Sequence, residues 1–129
     1  MKLVRLANPI VRAVLRSRFH RLLSSRLLVL SYRGHRSNGM FDIPLRYVET
    51  PDAQLVVVAV RPERKLWWRS FREPVPAAVL LRGERFAVSG AVMWDGERAS
   101  MLARYIRGRA RVARMTESAA VVVFTLAPR

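Results

Sequence analysis

A short loop of the sequence carries residue types that bind phosphate. Residues 34–39 begin and end with glycine and contain His35, Arg36 and Ser37. Glycine lets the backbone turn its N–H groups toward an anion, and guanidinium and hydroxyl groups add side-chain donors. The composition therefore suits a phosphate cradle, and it equally suits an ordinary hairpin turn.

Two adjacent tryptophans form the second conspicuous feature. Trp67 and Trp68 follow Lys65 closely, and neighbouring side chains on a short helix cannot face the same way. We expect one ring to enter the core and the other to lie along a groove, where an aromatic cofactor can stack. The pair is thus either a structural anchor or part of a ligand wall.

Several other chemistries are excluded by residue type. The chain has no cysteine, which removes disulfides, thiolate metal sites and cysteine nucleophiles. His20 and His35 are its only histidines, so we predict no protein-bound metal. A hydrolytic Ser-His-Asp site is not predicted either, because no nucleophile-elbow pattern is present.

The charge of the chain is strongly positive. Lysine and arginine number 24 against 9 acidic residues, which gives a formal net charge of +15. No acidic residue precedes Asp42, and Lys2 and Lys65 are the only lysines. This excess predicts an anionic partner or surface.

The elements that must position these residues fall into two parts. Residues 1–25 form a basic amphipathic helical segment, in which Asn8 and Pro9 supply a helix start and apolar residues recur at helical spacing. Such a helix packs on the domain, lies on an anionic membrane, or does both. Residues 26–129 form the second part, a β domain.

Short apolar runs separated by turn residues predict about six mostly antiparallel strands in that domain. Pro44 belongs at a sheet edge or a bulge because it lacks a ladder donor. A short helix is expected within residues 63–71, and another begins at Asp95 and ends near Gly108. The fold class is mainly β, a small barrel with peripheral helices. The strands are predicted over residues 27–33, 41–49, 55–60, 77–82, 85–94 and 119–126.

The order of these segments resembles the deazaflavin-dependent nitroreductase family, whose members are small split β-barrel proteins. The resemblance covers nearly the whole chain. It is carried by Asn8-Pro9, the segment of residues 19–22, the strand and basic loop of residues 28–37, Ile43-Pro44-Leu45-Arg46-Tyr47, the strand of residues 56–60, and Trp67-Trp68-Arg69-Ser70-Phe71.

The resemblance implies an oxidoreductase that uses coenzyme F-420, an 8-hydroxy-5-deazaflavin with a phosphodiester and a polyglutamate tail. Hydride passes from the reduced cofactor to a quinone, a nitroaromatic compound or an activated alkene. By the same resemblance, the cofactor phosphate maps to one set of residues and the ring to another. The phosphate set is Gly34, His35, Arg36, Ser37, Val60, Arg61 and Lys65, and the ring set is Pro44, Tyr47, Trp67 and Trp68.

A phenol is the expected proton donor in that reaction. Tyr47 is taken as the catalytic residue, with Tyr32 and Tyr105 as the other phenols of the chain. The protein itself supplies orientation and exclusion of water.

Two other functions stay open. His35, Asn38 and Ser70 depart from the residues usual in the family, so a split barrel that binds FMN, haem, a fatty acid or nothing is the first alternative. The second is a basic module for a membrane surface or another anion; no signature of a nucleic-acid-binding fold supports nucleic acid as the partner. We expect a cytoplasmic protein, attached to the inner face of the membrane through residues 1–25, and a homodimer.

Overall fold

A computed structural model of the chain describes residues 27–34 and 39–126. The helix predicted within residues 1–25 lies outside the described residues, as do His35, Arg36 and Ser37.

The described chain is mainly a seven-stranded antiparallel sheet. The strands are β1 (Leu27–Arg33), β2 (Met40–Arg46), β3 (Val48–Glu49), β4 (Gln54–Ala59), β5 (Val75–Leu81), β6 (Glu84–Val92) and β7 (Ala120–Leu126). Their order in the sheet is β2-β1-β5-β6-β7-β4-β3. This arrangement confirms the mainly β fold class.

The two edge strands are consecutive in the sequence, and this closes the barrel. Only Tyr47 separates β2, which pairs with β1, from β3, which pairs with β4. The sheet must therefore curl until its edges meet, which is a split barrel. The sequence predicted one strand over residues 41–49, whereas the structure divides it at Tyr47 because its two parts pair with different neighbours. Pro44 lies in the edge strand β2, as predicted.

The interior of the barrel is filled by alternate residues of each strand. In β1, Leu28 and Leu30 belong to the central cluster while Val29 lies on the outer face, as the two-residue period of a strand requires. Among the aromatic pairs of the described residues, the rings of Phe71 and Phe124 are closest; their centroids are 5.3 Å apart and the rings are nearly perpendicular. A Cβ at Gly90 would lie 2.6 Å from Phe124 and 2.7 Å from Phe71. Glycine at this position therefore permits the two rings to meet.

Two helices cover the outer face of β4 and β7. The helix α1 (Asp95–Ile106) buries Leu102 and Tyr105 against valines of that face. It begins where the sequence predicted, and the chain leaves it through Arg107 and Gly108, both with positive φ. The helix α2 (Ala110–Met115) was not predicted; none of its residues is fully buried, and Val112 packs at the border of the same apolar cluster. No helix among the described residues is long and apolar enough to cross a membrane.

The barrel has two ends that hold different loops. Arg33 pairs with Met40 at one end of the β1–β2 ladder, and Leu27 pairs with Arg46 at the other. We call the first the loop end; it contains Gly34, the segment between β4 and β5, and the start of α1. The second, the arginine end, contains the β5–β6 turn, the β3–β4 turn and the end of α1, where Arg104 lies 3.9 Å from Asp52.

Candidate functional site

The loop between β1 and β2 begins the candidate site. The Gly34 amide donates a hydrogen bond to the Gly39 carbonyl at 2.9 Å, which closes the hairpin across residues 34–39. The ring of Tyr32, two residues before Gly34, lies 6.0 Å from that of Phe71. This contact joins the hairpin to the segment that connects β4 with β5.

That connecting segment starts with a backbone conformation rare for its residue type. Arg61 has a φ of 56°, in the left-handed region, and is followed by a 3₁₀ turn (Pro62–Arg64). The Lys65 ammonium group donates a hydrogen bond to the Val60 carbonyl. The chain therefore folds back on itself here, and it holds Arg61 and Lys65 near the end of β4.

Trp67 lies in the core, as expected of one ring of the pair. It belongs to a second 3₁₀ turn (Trp67–Phe71) and is 7% exposed. Its ring stacks at 6.5 Å on Phe124 and meets Phe71 edge-on at 6.2 Å. Trp67 thus anchors the connecting segment in the barrel.

Trp68 packs at the border of the central cluster and lines a groove, as expected of the second ring. Its indole N–H donates to the Pro62 carbonyl at 2.8 Å, which fixes the orientation of the ring. The guanidinium carbons of Arg69 and Arg72 lie 5.7 and 5.3 Å from the ring centroid, within cation–π range. The Arg69 Nε is buried and has no hydrogen-bond partner among the described residues.

The groove beside Trp68 is a cleft of about 350 Å³. We call it the tryptophan cleft. Its second aromatic wall is Trp94, which is 57% exposed and directly precedes α1. A cleft with two aromatic side chains in its lining can hold a planar ring; its charged lining residues are Asp95 and Arg98. The lining residues are Pro62, Trp68, Val92, Met93, Trp94, Asp95, Arg98, Ser118, Ala119 and Ala120.

The structure does not bring all predicted site residues together. Gly34, Val60, Arg61, Lys65 and the two tryptophans belong to the loop end. Pro44 is exposed and shares the outer face of the sheet with its partner Val29.

Tyr47 belongs to the other end of the barrel. It lies seven residues along the chain from Met40, which corresponds to about 23 Å of strand. It is 6% exposed and is part of the central core cluster. Burial raises the pKa of its hydroxyl; the positive charge of Arg82 opposes that rise and the negative charge of Glu49 adds to it.

A second, larger cleft lies at the arginine end and was not predicted. Its volume is about 650 Å³, and we call it the arginine cleft. Its residues come from separate segments of the sequence, so no local sequence motif predicts this cleft. They are Arg46, Tyr47, Val48, Glu49, Arg82, Arg107 and Arg109.

Comparison with known proteins shows similarity of structure and not of sequence. No protein-family model and no curated protein sequence matches the chain. A solved structure described as an F420-H2 dependent reductase (FDR-A) superposes with a TM-score of 0.61 at 15% identity, over 78% of this chain and 94% of that one. A structure described as a domain-swapped dimer gives a TM-score of 0.63 at 13% identity, over 88% of this chain and 98% of that one.

A third similar structure is the protein Atu2129 from Agrobacterium tumefaciens, described as having unknown function. It gives a TM-score of 0.59 at 20% identity and covers 95% of this chain but 55% of that one. Identities this low establish the fold alone. The chain therefore has the split β-barrel fold that the family resemblance of its sequence implied, and it shares that fold with an F420-H2 dependent reductase.

Proposed function

We propose that the protein is an oxidoreductase of the deazaflavin-dependent nitroreductase family. In this proposal it transfers hydride from reduced coenzyme F-420 to a quinone, a nitroaromatic compound or an activated alkene. The observation that carries the proposal is the tryptophan cleft, which lies at the same end of the barrel as the basic hairpin loop. The fold shared with an F420-H2 dependent reductase supports it.

The residues of the loop end suit the chemical groups of this cofactor. Arg61 and Lys65 add positive charge beside the end of β4, and the loop residues Gly34, His35, Arg36 and Ser37 are the proposed phosphate ligands. The buried Arg69 Nε is a donor without a partner among the described residues. Burying such a donor is costly unless an acceptor meets it, so an anionic acceptor of the ligand would stabilise this site.

When bound, the reduced cofactor supplies a hydride. The protein binds, orients and excludes water. Trp94, which is 57% exposed, offers a ring face to a planar group, and Trp68 lines the same cleft. Trp67 fixes the segment that carries Trp68. The hydrogen bond from Trp68 to Pro62 holds that ring in one orientation before any ligand arrives, which lowers the cost of binding.

The proton donor remains a proposal, and the two ends of the barrel offer different phenols. Tyr47 borders the arginine cleft. Tyr32 lies at the loop end, and burial raises the pKa of its hydroxyl. Both hydroxyls keep their proton at neutral pH, as an ordinary phenol does, and the raised pKa makes each a weaker acid, so the pKa does not choose between them. We propose Tyr47 as the donor if the ring reaches the arginine end, and Tyr32 if the ring stays at the loop end.

The decisive experiment is a titration of the protein with F-420, followed by quenching of tryptophan fluorescence. It is done in about 0.15 M salt, where exposed charge pairs are screened, with FMN and a short DNA as competitors. We expect saturable binding that neither competitor displaces. Stronger binding of FMN would instead support the differently loaded split barrel, and displacement by DNA would support a general anion-binding module.

Two variants, each of which removes one positive charge, test where F-420 binds. Arg61→Gly removes a cation from a left-handed position that glycine adopts without strain, and we expect it to weaken F-420 binding by about tenfold. Arg114→Gln removes an exposed cation of α2 and should leave binding unchanged. Equal effects of both variants would contradict a site at the loop end. Oxidation of reduced F-420 by a quinone or a nitroaromatic compound then tests the reaction.

Assembly and attachment to the membrane are further parts of the proposal. One of the similar structures is a domain-swapped dimer, and Met40 and Phe41 of the edge strand β2 are each 45% exposed. We therefore propose a homodimer, which light scattering of the purified protein tests. Peripheral attachment of a cytoplasmic protein through residues 1–25 is tested by deleting them and measuring sedimentation with anionic vesicles.

A further inference from the structure

The arginine cleft combines a concave shape with a strong excess of positive charge. Four guanidinium groups and one carboxylate line it. That carboxylate, Glu49, is already paired with Arg82 at 3.0 Å. Among residues 27–34 and 39–126, no carboxylate lies within ion-pair distance of Arg46, Arg107 or Arg109. The cleft thus holds three cations that no described acid neutralises, in a volume of about 650 Å³.

One of these cations is held in place before any ligand binds. The Arg109 guanidinium donates to the Ile106 carbonyl at 2.9 Å and to the Tyr105 carbonyl at 2.5 Å. It also lies 5.9 Å from the centroid of the Tyr105 ring. The two carbonyls end α1, and the negative end of a helix dipole favours a cation there. These contacts leave further N–H donors of the guanidinium for a ligand.

Two other arginines occupy backbone positions that favour glycine or asparagine. Arg82 and Arg107 have φ values of 49° and 51°, and each precedes a glycine that also has positive φ. Arg82 and Gly83 form the two-residue turn between β5 and β6, where Asn-Gly is the preferred pair. Arg107 follows the last residue of α1, where glycine is preferred. A left-handed conformation is strained for a non-glycine residue, and here two arginines at one cleft adopt it.

We propose that the arginine cleft binds a phosphate-bearing anion, at a site separate from the tryptophan cleft. Guanidinium groups donate paired hydrogen bonds to phosphate oxygens, and this geometry makes arginine the residue best suited to bind phosphate. Three unneutralised cations favour a multiply charged ligand over a single carboxylate. The phosphate belongs either to a small soluble compound or to the headgroup of an acidic lipid, because both present the same oxygens.

The first test is calorimetric titration of the full chain with pyrophosphate, in about 0.15 M salt. Arg107→Gly and Arg82→Asn each remove one cation and give the left-handed position a residue that adopts it more readily. The fold is therefore retained, and thermal unfolding should occur at an unchanged or higher temperature. We expect each variant to weaken pyrophosphate binding by about tenfold.

Two controls make the result specific. Arg114→Gln removes the same charge outside the cleft and should leave pyrophosphate binding unchanged. Arg61→Gly removes a left-handed arginine at the loop end and should also leave it unchanged. Unaltered binding in Arg107→Gly, or equal weakening by Arg114→Gln, would overturn the proposal. Loss of binding in Arg61→Gly but not in Arg107→Gly would do so as well, by moving the site to the loop end.

A vesicle experiment distinguishes the source of the phosphate. Sedimentation is measured with phosphatidylcholine vesicles with and without phosphatidic acid, for the protein and for Arg107→Gly. Binding that needs phosphatidic acid and is lost in the variant supports a lipid headgroup. Pyrophosphate binding without vesicle binding supports a soluble compound, and the absence of both overturns the proposal. F-420 binding in Arg107→Gly should match that of the unaltered chain, so the result does not depend on the proposed function.

Discussion

The buried hydroxyl of Tyr47 makes the stability of the fold depend on pH. Burial raises the pKa of this phenol above its ordinary value of 10.0. Above about pH 10 the unfolded chain therefore loses the proton, while the folded chain retains it until the higher folded pKa is passed. The free energy of unfolding should fall progressively over that interval.

Replacing this phenol tests the sign of the effect. We expect Tyr47→Phe to lose less stability between pH 9 and pH 11 than the unaltered chain, because its side chain cannot ionise. Urea unfolding followed by tryptophan fluorescence measures this. Burial also raises the pKa of Tyr32, so the double variant with Tyr32→Phe should show a still smaller decline. An identical decline in all three proteins would contradict the prediction.

Close packing at Gly90 predicts a large effect from one methyl group. A Cβ there would lie within 3 Å of both Phe71 and Phe124, and neither fully buried ring has space into which to move. We expect Gly90→Ala to lower the free energy of unfolding by about 1–3 kcal/mol. Denaturant unfolding gives the value.

The matched control is Gly96→Ala in α1. A Cβ at Gly96 meets nothing within 4 Å, and alanine favours a helix by up to about 1 kcal/mol over glycine. This variant should therefore be neutral or more stable. Similar destabilisation by both substitutions would show that the packing of the two rings is not what requires glycine at position 90.

At the scale of elements, the strands could be predicted because each buries one face. Leu27–Arg33 was predicted with its observed bounds, since apolar residues and turn signals agree there. The division of the next strand at Tyr47 could not be predicted, because it depends on which strand each part pairs with. The short helix predicted within residues 63–71 is present as the 3₁₀ helix Trp67–Phe71, which buries Trp67 and Phe71.

The candidate sites were predictable to different degrees. Trp68 and Arg61 belong to one continuous segment, so the sequence could place them together. Trp94 borders the same cleft only because α1 starts beside that segment, and its sole sequence signal was its position before Asp95. The arginine cleft draws on separate segments near residues 46, 82 and 107–109, which only the tertiary structure unites.

One arginine connects α1 to the segment before β7, in addition to the packing of Leu102 and Tyr105 on the sheet. Arg98 donates to the carbonyls of Glu117 and Ala119, both at 2.9 Å. These carbonyls immediately precede β7, so the guanidinium ties the helix to the strand it covers. We expect Arg98→Ala to lower the free energy of unfolding by about 1–3 kcal/mol, because charged hydrogen bonds are lost.

Arg104→Ala in the same helix provides the comparison. Arg104 is exposed and lies 3.9 Å from Asp52, and such surface pairs contribute less than about 1 kcal/mol. The two variants remove the same charge, so a difference between them in urea unfolding reports the carbonyl contacts. Equal effects would contradict the role assigned to Arg98.

At the scale of the whole molecule, positive charge is in excess almost everywhere. The formal net charge is +15, and two ion pairs are found among the described side chains, Arg82 with Glu49 and Arg104 with Asp52. Both pairs lie at the arginine end. Like charges held close together oppose the compact state. Folding therefore brings positive charges together against their repulsion, which dissolved salt can screen.

This repulsion predicts that salt stabilises the protein. Raising the ionic strength from about 0.01 M to about 0.15 M shortens the screening length from roughly 30 Å to roughly 8 Å. The shorter length is less than the separation between the barrel ends, so the charges of the two ends no longer repel each other strongly. We expect the midpoint of thermal unfolding to rise over this range in sodium chloride.

At equal ionic strength, phosphate should raise the midpoint further than chloride in the unaltered chain, because a ligand that binds only the folded state adds to its stability. The additional rise should shrink in Arg107→Gly while the response to chloride stays nearly the same, since that variant alters one charge of many but removes a phosphate donor. Equal responses to the two anions would indicate screening alone, and a fall in the midpoint with chloride would contradict the view that charge repulsion limits the stability of this fold.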